Sequence, residues 1–401
     1  MKFQKFYPAL AAIIIAAAVT GCQLVPGSNS KSSSTLPLGA IITDTNTIGT
    51  ATGSLSALNI SEMTATNQIC QGDVDAYPCV RYYNNLIYVL NDINNNIQLI
   101  DPTQNYKTIN QISTGSNSNP QDIAFLSSSK AYVSLYGSTK LLIINPSTLA
   151  TVGSISLSQY TNTAGGATVP DMDHLWIDST TGYLYVAVQS LDSTYSTASC
   201  SYVIVIDTST DKILHEITLQ CGATYAKNPT SKFVFASSTA WSDGSGHNHL
   251  FIVCSGQYNS DYESQLDGGI IAIDTTTFSC VSWYLVSESD LQSYFSDLDY
   301  ANGNLYVVAS DPTTEKSSTL FSVSPRNSAS QTLGKTTPLL SITSGGYEIP
   351  FVKATSTGLI LTGDKTSTAP GIWIFDSSDN SKKNSTVIST YSSPYDITLT
   401  D

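Results

Sequence analysis

Four short runs decide the fold: Pro120-Gln121-Asp122-Ile123-Ala124-Phe125, Lys130-Ala131-Tyr132-Val133, Leu142-Ile143-Ile144-Asn145-Pro146-Ser147-Thr148, and Val152 to Leu157. Each is four to seven residues long and rich in β-branched or aromatic side chains. That length suits a strand and is too short for a helix. Asn145 precedes Pro146-Ser147, where a short polar side chain can hydrogen-bond the backbone two residues on and fix a tight hairpin. The same turn recurs as Leu99-Ile100-Asp101-Pro102, Ile206-Asp207-Thr208-Ser209, Ile273-Asp274-Thr275-Thr276, Val323-Ser324-Pro325-Arg326 and Phe375-Asp376-Ser377-Ser378. A Leu/Tyr-rich strand precedes each turn, for example Leu86-Ile87-Tyr88-Val89, Leu184-Tyr185-Val186 and Leu305-Tyr306-Val307.

Four short antiparallel strands per repeat of roughly 45–60 residues are the arithmetic of a β-propeller. Six turns and six preceding strands predict six four-stranded blades from about residue 80 onward. Seven is the alternative if residues 40 to 79 form a degenerate blade. The first copy starts at its second strand near Tyr83. The chain ends in Pro394-Tyr395-Asp396-Ile397-Thr398-Leu399, a first-strand pattern with no blade after it. The expectation is that this last strand closes the ring at the inner edge of blade 1 and so removes an open sheet edge.

The composition fits such a ring. Only 12% of the 401 residues are charged, about half the usual ~25%, although 41% are hydrophobic. Ser, Thr and Asn take exposed positions while most strand positions face another blade. A helix-rich or coiled-coil chain would need the missing Glu and Lys. The net charge of −14 leaves no basic stripe for nucleic acid.

The run from Pro120 through Leu157 resembles the YVTN-type propeller repeat of bacterial and archaeal surface proteins, and the likeness extends over residues 80 to 401. It implies a propeller and association with a cell surface, and it carries no catalytic residues across.

The N-terminus supplies an address. Lys2 and Lys5 precede the apolar run Ala9 to Val19, which is too short to span a bilayer. Val19-Thr20-Gly21-Cys22 resembles the bacterial lipoprotein lipobox, which implies lipidation of Cys22 and a membrane anchor. Gln23 in place of Asp favours the outer membrane, on its periplasmic side or at the cell surface. Residues 1–22 are thus read as signal peptide and 23–56 as a Ser/Thr-rich tether. A pre-blade segment spans 57–79, and the propeller spans 80–401.

Six cysteines remain. Hairpin geometry predicts a Cys200–Cys221 disulfide, and a local loop suggests Cys70–Cys79; Cys254 and Cys280 are expected not to pair. Asp243, His247 and His249 form the best metal candidate, with both rings on one side of a strand. Neither a nucleophile motif nor a phosphate loop is present.

The longest loops should share one face, the one between second and third strands and between blades, and scaffolds carry function on such loops. Tyr160, Tyr195, Tyr258, Tyr262 and Tyr294 fall on that rim. Asp122, Asp173, Asp297, Glu348 and Asp396 fall near the top of inner strands, either as a ring that would attract Ca²⁺ or Mg²⁺ or as acceptors for backbone N–H groups. Two functional readings follow. One is a membrane-anchored binding or scaffold module that takes a protein or glycan on its long-loop face. The other is a metal-dependent hydrolase of the lactonase type, by analogy of fold alone. The scarcity of His and of an acid–base pair weighs against an enzyme.

Overall fold

A computed structural model describes residues 39–45, 53–195, 200–258, 264–312, 317–344 and 347–400. It is an all-β propeller of seven blades, not six. Blades 1 to 6 are the six sequence copies. Blade 1, for example, runs from its inner strand Pro78–Tyr83 through Leu86–Asn91 and Asn96–Asp101 to its outer strand Lys107–Ser113. The seventh blade joins the two ends of the chain. Its inner strand is the C-terminal Ser393–Leu399, followed outward by Gly39–Thr45, Gly53–Asn59 and Thr64–Val74.

Three expectations are corrected here. The C-terminal strand does close the ring, but in blade 7: Ile42 faces Ile397 and Thr43 faces Asp396. Blade 1 has its own inner strand, Pro78–Tyr83, whose opening proline matches Pro120 and Pro394. Residues 39–45 and 53–56, assigned to a tether, are strand, as is much of the supposed pre-blade segment. The seventh blade lacks the Asp/Asn-Pro turn signature and is rich in Ser and Thr. Ile41, Ile42, Leu55 and Leu58 are nevertheless buried in it.

Where the turn signature is present it works through the side chain. Asp101, Asn145, Asp207, Asp274 and Asp376 each accept the backbone N–H two residues on, at 2.8–3.0 Å. The tightest connections need left-handed backbone: Asn302 and Gly303 link two strands of blade 5 with φ of 48° and 77°.

No single core exists; the apolar interior lies between blades. In blade 1, Ile87 and Val89 pack toward blade 7, whereas Tyr88 and Leu90 pack toward blade 2. In blade 5, Leu305 and Val307 face blade 4 while Tyr306 and Val308 face blade 6. The period-2 alternation of a strand thus feeds two neighbours at once. Each fully buried aliphatic side chain contributes about 2 kcal/mol. Burial falls outward: the second strand His249–Cys254 of blade 4 is wholly buried, whereas the outer strand Thr151–Ser156 of blade 2 is mostly exposed.

Two polar contacts repeat between blades. Tyrosines of second strands reach the hairpin of the next blade: Tyr88 Oη to the Pro146 carbonyl, Tyr132 Oη to Asp211, and Tyr306 Oη to Asn380. Inner-strand carboxylates accept an N–H from the next inner strand. Asp122 Oδ2 takes Leu175 N at 3.0 Å, Asp297 Oδ2 takes Val352 N at 2.9 Å, and Asp396 Oδ2 takes Val80 N at 2.9 Å. Asp122→Ala would strand two backbone donors and one guanidinium hydrogen bond. We expect it to cost about 3 kcal/mol in denaturant unfolding, against about 1 kcal/mol for loss of the exposed turn acceptor in Asp101→Ala.

Candidate functional site

Inner strands run from the long-loop face inward, so their first residues ring a channel entrance and their next residues line its throat. One cavity of about 460 Å³ occupies this axis. Its wall takes residues from all seven blades, from the inner strands or the segments before them, including Tyr77, Arg81, Asp122, His174, Lys232, Asp297, Lys353, Lys365 and Asp396.

The throat is a ring of ion pairs. Arg81 clasps three blades, with Nε on Asp122 Oδ1 and Nη1 on Asp396 Oδ2, both at 2.9 Å. Lys232 Nζ lies 2.7 Å from each Asp297 oxygen and donates to the Val352 carbonyl at 2.8 Å. His174 Nδ1 is 2.7 Å from Asp173 Oδ1. Burial opposes charge on that ring, but the Asp173 carboxylate outweighs it and holds His174 above its usual value. Lys353 faces Asp299 at 3.7 Å. Of the two readings of these acids, the geometry agrees with acceptors of backbone N–H groups rather than with a ring awaiting a cation. Asp122, Asp173, Asp297 and Asp396 are engaged by protein cations, and three of the four also hold a backbone N–H. Glu348 stands apart at the entrance, its carboxyl pushed up by burial despite the nearby Lys365.

The entrance is aromatic. Tyr77, Tyr294 and Tyr395 stand at or near the starts of the inner strands of blades 1, 5 and 7, Tyr347 lies in the segment before that of blade 6, and all four line the cavity. Tyr77 and Tyr395 lie 5.6 Å apart between ring centroids, and Tyr294 and Tyr347 lie 6.2 Å apart. Tyr258 packs behind Tyr294 at 5.8 Å. Of the rim tyrosines read from sequence, Tyr294 alone lines the cavity. Tyr160 is buried against Tyr202 instead, and Tyr195 is exposed outside it. Tyr262 lies outside the described residues, as does Cys22.

Behind Tyr294, Glu288 is fully buried. Its carboxylate accepts Phe295 N at 3.0 Å, Gly268 N at 3.3 Å and Ser264 Oγ at 3.2 Å. It thereby ties a long loop of blade 4 to the inner strand of blade 5. Burial outweighs these bonds and pushes the carboxyl up to about 8. The folded protein therefore holds this proton more tightly than the unfolded chain does. Glu288 contributes its full stabilisation below the ordinary value near 4.5 and loses it as pH rises through about 8. The melting temperature should fall more steeply between pH 5 and 8 in the wild type than in Glu288→Gln; parallel curves would remove the assignment.

Other sequence candidates do not converge. His249 is fully buried, with Nε2 3.4 Å from Asp243, whereas His247 turns to Asp274 at 2.7 Å. The proposed metal triad is thus split between two carboxylates. No group of three or more His, Cys, Asp or Glu among the described residues is placed to hold a metal ion. The two proposed disulfides are also corrected. Cys200 and Cys221 are not joined: Cys200 Sγ meets Tyr202 Oη at 2.9 Å, whereas Cys221 lies across the blade boundary beside the Ser282 carbonyl. Cys79 is free and points to the throat, with Sγ 4.0 Å from Asp122 Oδ1, away from Cys70 in blade 7. Cys254 and Cys280 are free thiols.

The fold and its axial cavity define a seven-bladed β-propeller with an aromatic entrance over a salt-bridged throat. The chain is similar in fold to a protein from Lactobacillus plantarum (10% identity, 91% of this chain and 99% of that one, TM-score 0.60). It is also similar to a candidate 6-phosphogluconolactonase from Bacteroides uniformis (12% identity, 91% and 100%, TM-score 0.58). A third similar structure is a streptogramin B lyase (11% identity, 80% and 86%, TM-score 0.52). No family model and no curated protein matches the sequence. At such identities the likeness establishes the fold alone.

Proposed function

We propose that the protein is an extracytoplasmic binding propeller, held to the outer membrane by lipid on Cys22, that receives its protein or glycan partner at the tyrosine-lined channel entrance. The observation that carries this reading is the convergence of Tyr77, Tyr294, Tyr347 and Tyr395, from four different blades, on one cavity at the long-loop face. Tyrosine rings offer a rigid apolar surface with a polar tip and lose little entropy on binding. The throat beneath supports binding over metal-dependent hydrolysis, because its carboxylates are already held by Arg81, Lys232 and His174. The YVTN-like repeat and the lipobox-like Val19 to Cys22 support a surface address. Among the described residues no helix is long and apolar enough to cross a membrane, so the acyl chains would supply the membrane affinity.

Two measurements test the reading. Cys22→Ser should move the protein from the membrane fraction to the soluble fraction of the producing cell; an unchanged distribution removes the anchor. Full-length wild type and Tyr77→Ala/Tyr395→Ala should be compared, immobilised, for retention of solubilised envelope proteins and polysaccharides. The wild type should retain a partner at least about tenfold better. Equal retention of every partner would move the binding surface away from the entrance.

A further inference from the structure

The cations on the channel wall are not equivalent. Arg81, His174, Lys232 and Lys353 each stand within ion-pair distance of a carboxylate. Lys365, at the entrance, is the exception among the described residues. No carboxylate lies within ion-pair distance of its ammonium, and no hydrogen bond from Nζ is formed there. Its nearest aromatic neighbour is Tyr395, with Nζ 5.9 Å from the ring centroid.

The backbone ties this residue to the two segments that carry Tyr347 and Tyr395. Lys365 N donates to the Glu348 carbonyl at 2.8 Å, next to Tyr347, and the Lys365 carbonyl accepts Ser393 Oγ at 3.0 Å, two residues before Tyr395. The main chain is thereby fixed at the cavity wall, and the ammonium lies over the Tyr395 ring. An ammonium withdrawn from water without an anion beside it is costly. Burial accordingly holds Lys365 below the ordinary lysine range, and Glu348 nearby only partly offsets this. An arriving anion would replace the missing counter-charge.

We propose that the entrance binds a ligand bearing a carboxylate next to a ring with an apolar face, with the carboxylate on Lys365 Nζ and the ring against Tyr395 and Tyr347. The proposal rests on the binding reading above and adds the ligand's chemistry to it. A uronic-acid sugar and an aromatic acid share this chemistry: a ring face for tyrosine and a carboxylate for the ammonium. The acids of the throat do not compete for Lys365, because each already has its own cation. The overall charge of −14 would repel an anion at long range. Binding should therefore be local and improve when moderate salt screens the body of the protein.

Calorimetric titration of the full-length protein tests this with a galacturonate trisaccharide, with phenylacetate and with the neutral galactose trisaccharide. At least one acidic probe should bind, and the neutral trisaccharide should bind at least about tenfold more weakly than the galacturonate form. Which acidic probe binds distinguishes a sugar from an aromatic source. Lys365→Met and Lys365→Gln should each weaken the acidic probe at least about tenfold while keeping the wild-type melting temperature or raising it. The proposal is overturned if neither acidic probe binds, or if both Lys365 variants bind it as well as the wild type. It also fails if the neutral probe binds equally. An envelope partner that Tyr77→Ala/Tyr395→Ala loses and Lys365→Met retains would overturn the carboxylate while leaving the entrance as the binding surface.

Discussion

A propeller blade presents its inner strand to a channel, where one edge of every inner strand has no partner strand in its own blade. The N–H groups on that edge must find acceptors. Here Asp122, Asp297 and Asp396 supply them, each to the strand of the following blade. A carboxylate does this better than a neutral acceptor, because an ionised acceptor roughly doubles the strength of the bond. It also brings a negative charge into a confined space, which then demands a cation. Arg81 and Lys232 answer that demand. The ion-paired throat is thus a consequence of the need to satisfy backbone donors in a ring.

The same constraint separates the throat from the entrance. Deep in the channel, charge is matched by charge, and the groups there hold blades together. At the entrance the strands begin and the loops take over. Tyrosines predominate, and Lys365 stands with no carboxylate within ion-pair distance among the described residues, Glu348 acting on it only from farther off. Structural electrostatics and a ligand-facing surface are therefore stacked along one axis, only a few residues apart on each inner strand.

Much of the fold was legible in the chain. Period-2 alternation in Leu86 to Val89 and Leu305 to Val307 marked strands that pack on both sides, and the Asp/Asn turns marked the hairpins. Blade 7 was legible only as the alternative, a degenerate blade within residues 40 to 79, because Gly39–Thr45 and Gly53–Asn59 lack the turn signature and resemble a Ser/Thr tether in composition. Pro78 could have exposed the miscount, since it matches the strand-opening Pro120 and Pro394. For the site, the recurrence of Asp122, Asp297 and Asp396 was visible, but their partners were not. Arg81 and Lys232 belong to other blades: Arg81 is 41 residues from Asp122 and 315 from Asp396, and Lys232 is 65 from Asp297. The entrance tyrosines carried one usable signal, a Tyr at or near the start of the inner strands of blades 1, 5 and 7. Ranking rim tyrosines by loop length instead brought in Tyr160 and Tyr195, which sit elsewhere.

By itself the sequence determined the architecture of a blade and the repetition of blades. Both depend on local patterns: side chains alternating along a strand, and an Asp or Asn that closes a turn two residues on. Tertiary structure decided how many blades close the ring, which cation meets which acid, and which cysteines remain apart. Those outcomes depend on distances between segments far apart in the chain. Circular closure brings them together, and no local pattern encodes it.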